Sequence, residues 1–120
     1  MSLPTLSAVA AVVRGYRFTY ATEKQLQDGI ETALRGAGWE PGREVTIAGP
    51  GKANAGRIDL LVERIGVEVK IQGGANAVAH QVQRYLQSPD LDGVVLVTGK
   101  VAHLTLSHPR LVIVSLVAAL

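Results

Sequence analysis

The sequence contains no cysteine, and this absence excludes several kinds of site. A disulfide framework, a thiolate zinc site and a cysteine-ligated iron–sulfur cluster all need cysteine side chains. The lack of cysteine fits a reducing compartment, so we expect a cytoplasmic protein.

Long apolar runs are missing as well. No stretch approaches the ~18 consecutive apolar residues of a transmembrane helix, so we expect no membrane partner. The early segment "SAVAAVV" (7–13) lacks the preceding lysine or arginine that begins a signal peptide. We therefore expect no targeting segment.

Internal repeats, low-complexity tracts and linker-like runs are absent too, which predicts one domain over residues 1–120. Hydrophobic residues make up 48% of the chain and charged residues 18%, a composition typical of globular proteins. The net charge of +2 allows nucleic-acid binding but does not argue for it. A local basic patch would have to supply the affinity.

Hydrophobic periodicity and turn residues predict an α/β domain with the order α-β-β-β-α-β-β. The predicted helices are a weak one at 2–14, one that begins at a Thr22 cap and is closed by Gly36 and Gly38, and one at 76–87. The predicted strands are 43–48, 57–63, 66–71, 93–99 and a buried one within 110–120. Residues 16–20 are a short strand or an extended lead-in, 49–56 a loop, and 101–109 irregular.

The segment "GRIDLLVERIGVEVKIQGG" (56–74) places charged residues among apolar neighbours. A tight turn at Arg64–Ile65 predicts a hairpin in which the numbers of opposed residues sum to 129. One face then pairs apolar residues only: Ile58 with Ile71, Leu60 with Val69, and Val62 with Val67. The other face places Asp59 opposite Lys70 and Leu61 opposite Glu68. The two carboxylates become diagonal neighbours, with Cβ atoms roughly 7–8 Å apart.

Because the apolar face is complete without them, Asp59, Glu68 and Lys70 are candidates for a site. Two carboxylates can share a divalent cation, and Mg²⁺ is typically held by one or two carboxylates with waters and phosphates. Such a cation activates a water, and Lys70 can assist that water or stabilise developing charge. The alternative is a simple cross-strand ion pair between Asp59 and Lys70.

"RID" (57–59), followed by "EVK" (68–70), resembles the signature of the PD-(D/E)xK nuclease superfamily. The order of elements over about residues 22–99 resembles the core of that superfamily, although Ile58 stands where the name-giving proline would be. The resemblance implies a restriction-endonuclease-like fold, with a mixed central sheet flanked by helices in the order α-β-β-β-α-β. It implies a metal-dependent DNA nuclease that hydrolyses phosphodiester bonds with Mg²⁺ or Mn²⁺.

Two further elements resemble features of this superfamily. Members often place a metal-binding glutamate on the first core helix, and Glu23 and Glu31 are the candidates here. Glu23 falls within the apolar arc of that helix, whereas Glu31 lies about 80° further round, so Glu23 is the preferred third ligand beside Asp59 and Glu68. The alternative is that Glu23 only favours the helix N-terminal dipole. Gln81 and Tyr85 resemble the QxxxY element of the RecB-like branch, or else form a helix edge with a half-buried tyrosine.

Basic residues near these elements are candidates for contacts with DNA phosphates. "GPGKANAG" (49–56) is not a P-loop, because Lys52 is followed by alanine and no helix follows. We interpret it as a loop from which Lys52 and Arg57 reach phosphates, and Arg84 as solvated or DNA-facing. His80, His103 and His108 lack ligand spacing and are expected at the surface or in loops.

Rival interpretations remain at this point. The small size resembles junction resolvases, which act as dimers, and the apolar C-terminal segment also allows a homodimer. A catalytically inactive nucleic-acid-binding module or an assembly module could keep the same fold. The set of Asp59, Glu68 and Lys70 argues against binding alone, because acids weaken affinity for phosphate.

Overall fold

The computed structural model describes residues 4–51 and 53–117 of the protein. Within these ranges the chain forms an α/β domain with three α-helices, five strands and one 3₁₀ turn. The helices are α1 (Leu6–Arg14), α2 (Glu23–Gly36) and α3 (Ala75–Leu86). The strands are β1 (Gly42–Ala48), β2 (Asn54–Val62), β3 (Ile65–Lys70), β4 (Gly93–Thr98) and β5 (Leu111–Ser115), and the 3₁₀ turn is Val101–Thr105.

The strands form one mixed sheet in the order β1-β2-β3-β4-β5. β1, β2 and β3 are antiparallel neighbours, whereas β3, β4 and β5 run parallel. Residues of α1 and α2 share one apolar cluster with one side of the sheet, and residues of α3 share a second cluster with the other side. The predicted α/β class is therefore confirmed. Within the described residues, none of the helices is long and apolar enough to cross a membrane.

The predicted helix after Thr22 is confirmed. The Thr22 hydroxyl accepts a 3.1 Å hydrogen bond from the backbone N–H of Gln25, which satisfies one of the free donors in the first turn. Leu26, Ile30 and Leu34 are fully buried against the sheet. This packing fixes the helix rotation and directs Glu23 towards the end of β3.

The predicted hairpin register was wrong by two residues. The observed pairs are Leu60 with Val67 and Val62 with Ile65, so the turn lies at Glu63–Arg64 rather than at Arg64–Ile65. Glu63 adopts the left-handed conformation, with φ 53°. Since side chains alternate with a period of two, a two-residue slip changes the partners but keeps each side chain on its face.

A second correction concerns Ile58, which does not share a face with Leu60. Leu60 packs with α1 and α2, whereas Ile58 packs in the cluster of α3. The change of face occurs at Asp59, between the pairs Arg43–Leu60 and Val45–Ile58. Glu44 lies between the same pairs on β1 and has φ 51°, so the regular alternation of both strands is interrupted there.

Several smaller predictions were also wrong. β2 already begins at Asn54, and the segment 101–109 contains the 3₁₀ turn. Of the two alternatives for residues 16–20, the strand does not form and the lead-in remains. β5 is an edge strand that is largely half-buried rather than a buried one. Residues 2, 3 and 118–120 of the predicted terminal elements lie outside the described residues.

Candidate active site

The candidate site lies where β2 and β3 separate. The two strands pair through Leu60–Val62, but at Asp59 side chains replace the backbone ladder. The backbone N–H of Val69 donates a 2.8 Å hydrogen bond to Asp59 Oδ2, and the N–H of Asp59 donates to Glu68 Oε1 at 3.2 Å. Each carboxyl group is therefore fixed by the other strand, and each keeps one oxygen without a backbone donor.

Burial dominates the electrostatics of this carboxyl pair. Glu68 is only 1% exposed, and burial together with the charge of Asp59 raises the pKa of Glu68 to about 8. Burial also raises the pKa of Asp59, although the Val69 N–H opposes that rise. Without a cation the pair consequently retains a proton near neutral pH, because a buried carboxylate beside a half-buried one cannot ionise cheaply.

Lys70 lies beside Glu68 rather than opposite Asp59. Its Nζ atom is 3.5 Å from Glu68 Oε2, the oxygen that the backbone leaves free. The lysine charge acts against the rise in the pKa of both carboxyl groups. The simple ion pair between Asp59 and Lys70, considered above as an alternative, is not the arrangement found. Glu68 thus contacts both of the other residues, Asp59 through Oε1 and Lys70 through Oε2.

The structure separates the two candidate helix glutamates. Glu23 Oε1 accepts a 2.9 Å hydrogen bond from the backbone N–H of Ile71, so this carboxylate lies at the end of β3. Glu31 instead forms ion pairs with Arg43 at 3.0 Å and with Arg35 at 3.1 Å. The hydrogen bond from Arg43 lowers the pKa of Glu31. Glu31 thus belongs to an ion-pair network with Arg35 and Arg43 on the side of α2 that faces β1.

Gln81 and Tyr85 fix the strand that departs from the site. The hydroxyl of Tyr85 donates a 2.8 Å hydrogen bond to the backbone oxygen of Arg57, and Gln81 Nε2 donates to Tyr85 Oη at 3.1 Å. Tyr85 is fully buried, not half-buried, and burial raises its pKa. The ring packs beside Gly56, where a φ of 121° also favours glycine.

The candidate DNA-binding residues are less closely grouped. The side chains of Arg57 and Arg84 are exposed, Arg57 two residues before Asp59 and Arg84 next to Tyr85 on α3. Lys52 lies outside the described residues. The guanidinium groups of both arginines are therefore accessible to solvent.

A shared metal needs donor atoms that are close and free. In residues 4–51 and 53–117, no three His, Cys, Asp or Glu side chains come close enough to hold an ion. The predicted three-ligand set of Glu23, Asp59 and Glu68 therefore stays a prediction. Asp59 and Glu68 alone provide a pair of hard oxygen donors of the kind that Mg²⁺ uses together with waters and phosphates.

One polar residue near the site was predicted wrongly. His103 was expected at the surface or in a loop, but it is fully buried. Its neighbours Val101 and Leu104 are the exposed residues, 66% and 40% respectively. The apolar pattern thus gave the opposite signal, because the 3₁₀ turn rotates the histidine inward to two polar partners, the Thr98 hydroxyl and the distant Gly73 carbonyl.

Comparison of this chain with protein-family models, with curated proteins and with solved structures finds no match. The resemblance to the PD-(D/E)xK nucleases consequently depends on the quoted motifs and on the order of the elements.

Proposed function

We propose that the protein is a metal-dependent DNA nuclease that hydrolyses phosphodiester bonds. The observation that carries the proposal is the pair of carboxyl groups at the fork of β2 and β3, with Glu68 buried, Asp59 half-buried and Lys70 Nζ 3.5 Å from Glu68 Oε2. Withdrawing two neighbouring acids largely from water costs stability unless their charge is compensated, so the chain tolerates an arrangement that folding alone does not require. The order α2-β1-β2-β3-α3-β4 supports a restriction-endonuclease-like core.

Asp59 and Glu68 would hold the cation, Mg²⁺ or Mn²⁺, through the oxygens that are not fixed by backbone donors. A bound divalent cation lowers the pKa of a coordinated water and neutralises phosphate charge. Because the pair holds a proton when no cation is present, binding must release that proton. Glu23, fixed at Ile71, is the candidate third ligand, either through its second oxygen or through a water.

Lys70 supplies a positive charge at the same place. An ammonium group beside the ligand carboxylate can orient the attacking water or stabilise the charge that develops on the phosphate. Lys70 is a quarter exposed, so its head group can reach a substrate without leaving Glu68.

Gln81 and Tyr85 would hold the backbone of the site in place, whereas the exposed arginines would bind the substrate. Tyr85 is too buried to stack on a base, and its hydrogen bond to the Arg57 carbonyl sets the path of β2 into Asp59. The side chains of Arg57 and Arg84 would contact phosphates.

A catalytically inactive nucleic-acid-binding or assembly module is the main rival. It has no use for two acids that are largely withdrawn from water at the candidate site, since removing them would strengthen phosphate binding and relieve their desolvation. The carboxyl pair therefore favours hydrolysis over binding alone.

The proposal is tested with a panel of labelled DNA: linear duplex, single strand, flap and four-way junction. Purified protein is incubated with Mg²⁺, with Mn²⁺ or with EDTA. We expect cleavage of at least one form with a divalent cation and none with EDTA. Binding without cleavage under every condition would instead favour the inactive module.

A further inference from the structure

His103 is a buried, polar side chain that the proposed chemistry does not use. It lies in the 3₁₀ turn after β4 and is fully inaccessible to solvent. Its Nδ1 atom is 2.6 Å from Thr98 Oγ1, and its Nε2 atom is 3.0 Å from the backbone oxygen of Gly73. The ring therefore connects the end of β4 with the segment that follows β3.

The hydrogen-bond network assigns the tautomer of this histidine. A backbone carbonyl can only accept, so Nε2 carries the proton that is donated to Gly73. Thr98 Oγ1 already accepts a 3.0 Å hydrogen bond from the N–H of Lys100, and its hydroxyl proton is free to donate to Nδ1. Every polar atom of the ring is satisfied, which explains how histidine is tolerated at a buried position.

The segment held by His103, residues 71–74, connects two parts of the candidate site. Lys70 precedes it, and α3, with Gln81 and Tyr85, follows it. Gly73 has φ 104°, and Gly74 caps α3 without a side-chain hydrogen bond. The segment thus contains two glycines with high backbone freedom.

Hydrogen bonds to other elements restrain this part of the chain before α3 begins. Glu23 accepts from Ile71 N–H at 2.9 Å, Gly99 N–H donates to the Lys70 carbonyl at 3.0 Å, and His103 donates to the Gly73 carbonyl. Apart from the bond from Val78 N–H to the Gly74 carbonyl, which belongs to the first turn of α3, the His103 contact lies closest to that helix. Without it, the chain between Ile71 and α3 would depend on backbone conformation at the two glycines.

We propose that His103 is a positioning residue: by holding Gly73, it keeps the Lys70 side chain beside the Asp59–Glu68 pair. The kinetic part of this inference rests on the proposed nuclease function. The essential contact is the one from Nε2 to Gly73, whereas the contact from Nδ1 to Thr98 orients the ring.

Substitutions can separate the two contacts. Glutamine extends an N–H about as far as Nε2, so His103→Gln keeps the donor to Gly73. Asparagine is one CH₂ shorter, so His103→Asn keeps an acceptor for Thr98 but does not reach Gly73. Thr98→Val removes the threonine contact and leaves the one to Gly73. All three substitutions change the buried polar network, and they serve as controls for each other.

In cleavage assays at saturating metal, we expect His103→Asn to lower kcat by roughly 10- to 100-fold with little change in KM, since small misplacements of a reacting group have effects of this size. His103→Gln and Thr98→Val should stay within about threefold of wild type in kcat when rates are normalised to folded protein. Equal losses in all three variants, or a loss in the Gln variant alone, would overturn the proposal.

Amide hydrogen exchange tests the positioning without any cleavage. In His103→Asn, exchange at Ile71 and Gly99 should accelerate by at least roughly tenfold relative to the central sheet amide of Val95, and in His103→Gln it should not. This pattern in a protein that cleaves no DNA would reject the nuclease proposal and retain the positioning role. Unchanged exchange at both amides in the folded Asn variant would reject the positioning role whatever the activity.

If the Asn variant does not fold, exchange in the Gln and Val variants decides, because acceleration in either overturns the proposal and wild-type protection in both upholds it.

Discussion

The Asp59 carboxylate accepts a 2.8 Å hydrogen bond from the backbone N–H of Val69, and the Asp59 N–H in turn donates to Glu68. Two side chains thus stand in for the backbone ladder at the point where β2 leaves β3. The exchange satisfies the backbone donors and brings the half-buried Asp59 together with the buried Glu68. This arrangement predicts effects on the free energy of unfolding, on side-chain packing, on DNA affinity and on DNA cleavage.

The first prediction concerns the pH dependence of stability without metal. The pKa of Glu68 is raised from 4.5 to about 8, so the folded state binds more protons than the unfolded state between these values. The free energy of unfolding should be highest below about pH 4.5, as far as this group is concerned, and should fall by a few kcal/mol as pH rises towards about 8. Urea denaturation in EDTA across this range measures the change.

The matched variant is Glu68→Gln, which keeps an acceptor for Asp59 N–H but cannot ionise. Its stability should depend much less on pH over the same range, and Mg²⁺ at about pH 8 should stabilise the wild type but not the variant. Identical pH profiles for the two proteins would contradict the assigned environment of Glu68.

The second prediction concerns the support of β2 by α3. Tyr85→Phe removes the donor to the Arg57 carbonyl and leaves that oxygen without its partner. The free energy of unfolding should fall by about 1–2 kcal/mol, as expected for a lost buried hydrogen bond. The control is Tyr16→Phe at a tyrosine that is 51% exposed, where the change should be close to zero. Equal effects at the two positions would show that the Tyr85 hydroxyl makes no special contact.

The third prediction tests the face on which Ile58 lies. A Cβ atom at Gly66 would overlap Ile58 Cδ1, so Gly66→Ala should destabilise the protein by roughly 1–3 kcal/mol. Ile58→Val removes Cδ1, and in that background Gly66→Ala should cost less by at least ~0.5 kcal/mol. Strict additivity in a double-mutant cycle would mean that the two residues do not meet.

The fourth prediction concerns the salt dependence of DNA binding, measured in EDTA to prevent cleavage. If Arg57 and Arg84 each neutralise a phosphate, replacing either with alanine should make the negative slope of log affinity against log salt shallower by about 0.7–0.9. Arg64, at the hairpin turn on the opposite end of β2, is the control and should leave the slope unchanged. The same slope in all variants would remove these arginines from the DNA interface.

Local sequence signals were sufficient for the elements that pack by simple periodicity. The apolar stripe of Leu26, Ile30 and Leu34 defined α2, and the continuous run in "GVVLVTG" defined the fully buried β4. The α/β class followed from the alternation of such elements. Asp59, Glu68 and Lys70 could be singled out because charges within an apolar hairpin are unusual.

The details of the hairpin could not be read in the same way. Both the predicted and the observed register pair apolar residues with each other. The two registers differ in whether Glu63 or Arg64 begins the turn. In the structure the turn begins at Glu63, which has left-handed backbone. The change of face at Asp59 coincides with the left-handed backbone of Glu44 on the neighbouring strand. The burial of His103 depends on Gly73, which is 30 residues away in sequence. The last two features involve residues that are distant in sequence, and no local pattern encodes them.

The most direct test of the central claim compares Asp59→Asn and Glu68→Gln with Glu63→Gln, an exposed acid at the hairpin turn. Cleavage of the preferred DNA form is measured with Mn²⁺, and folding is checked by circular dichroism. We predict that each of the first two variants loses at least ~100-fold in cleavage rate and binds DNA in EDTA as well as or better than wild type, while Glu63→Gln cleaves normally. Cleavage at wild-type rates by folded Asp59→Asn and Glu68→Gln proteins would contradict the claim that this carboxyl pair holds the catalytic cation.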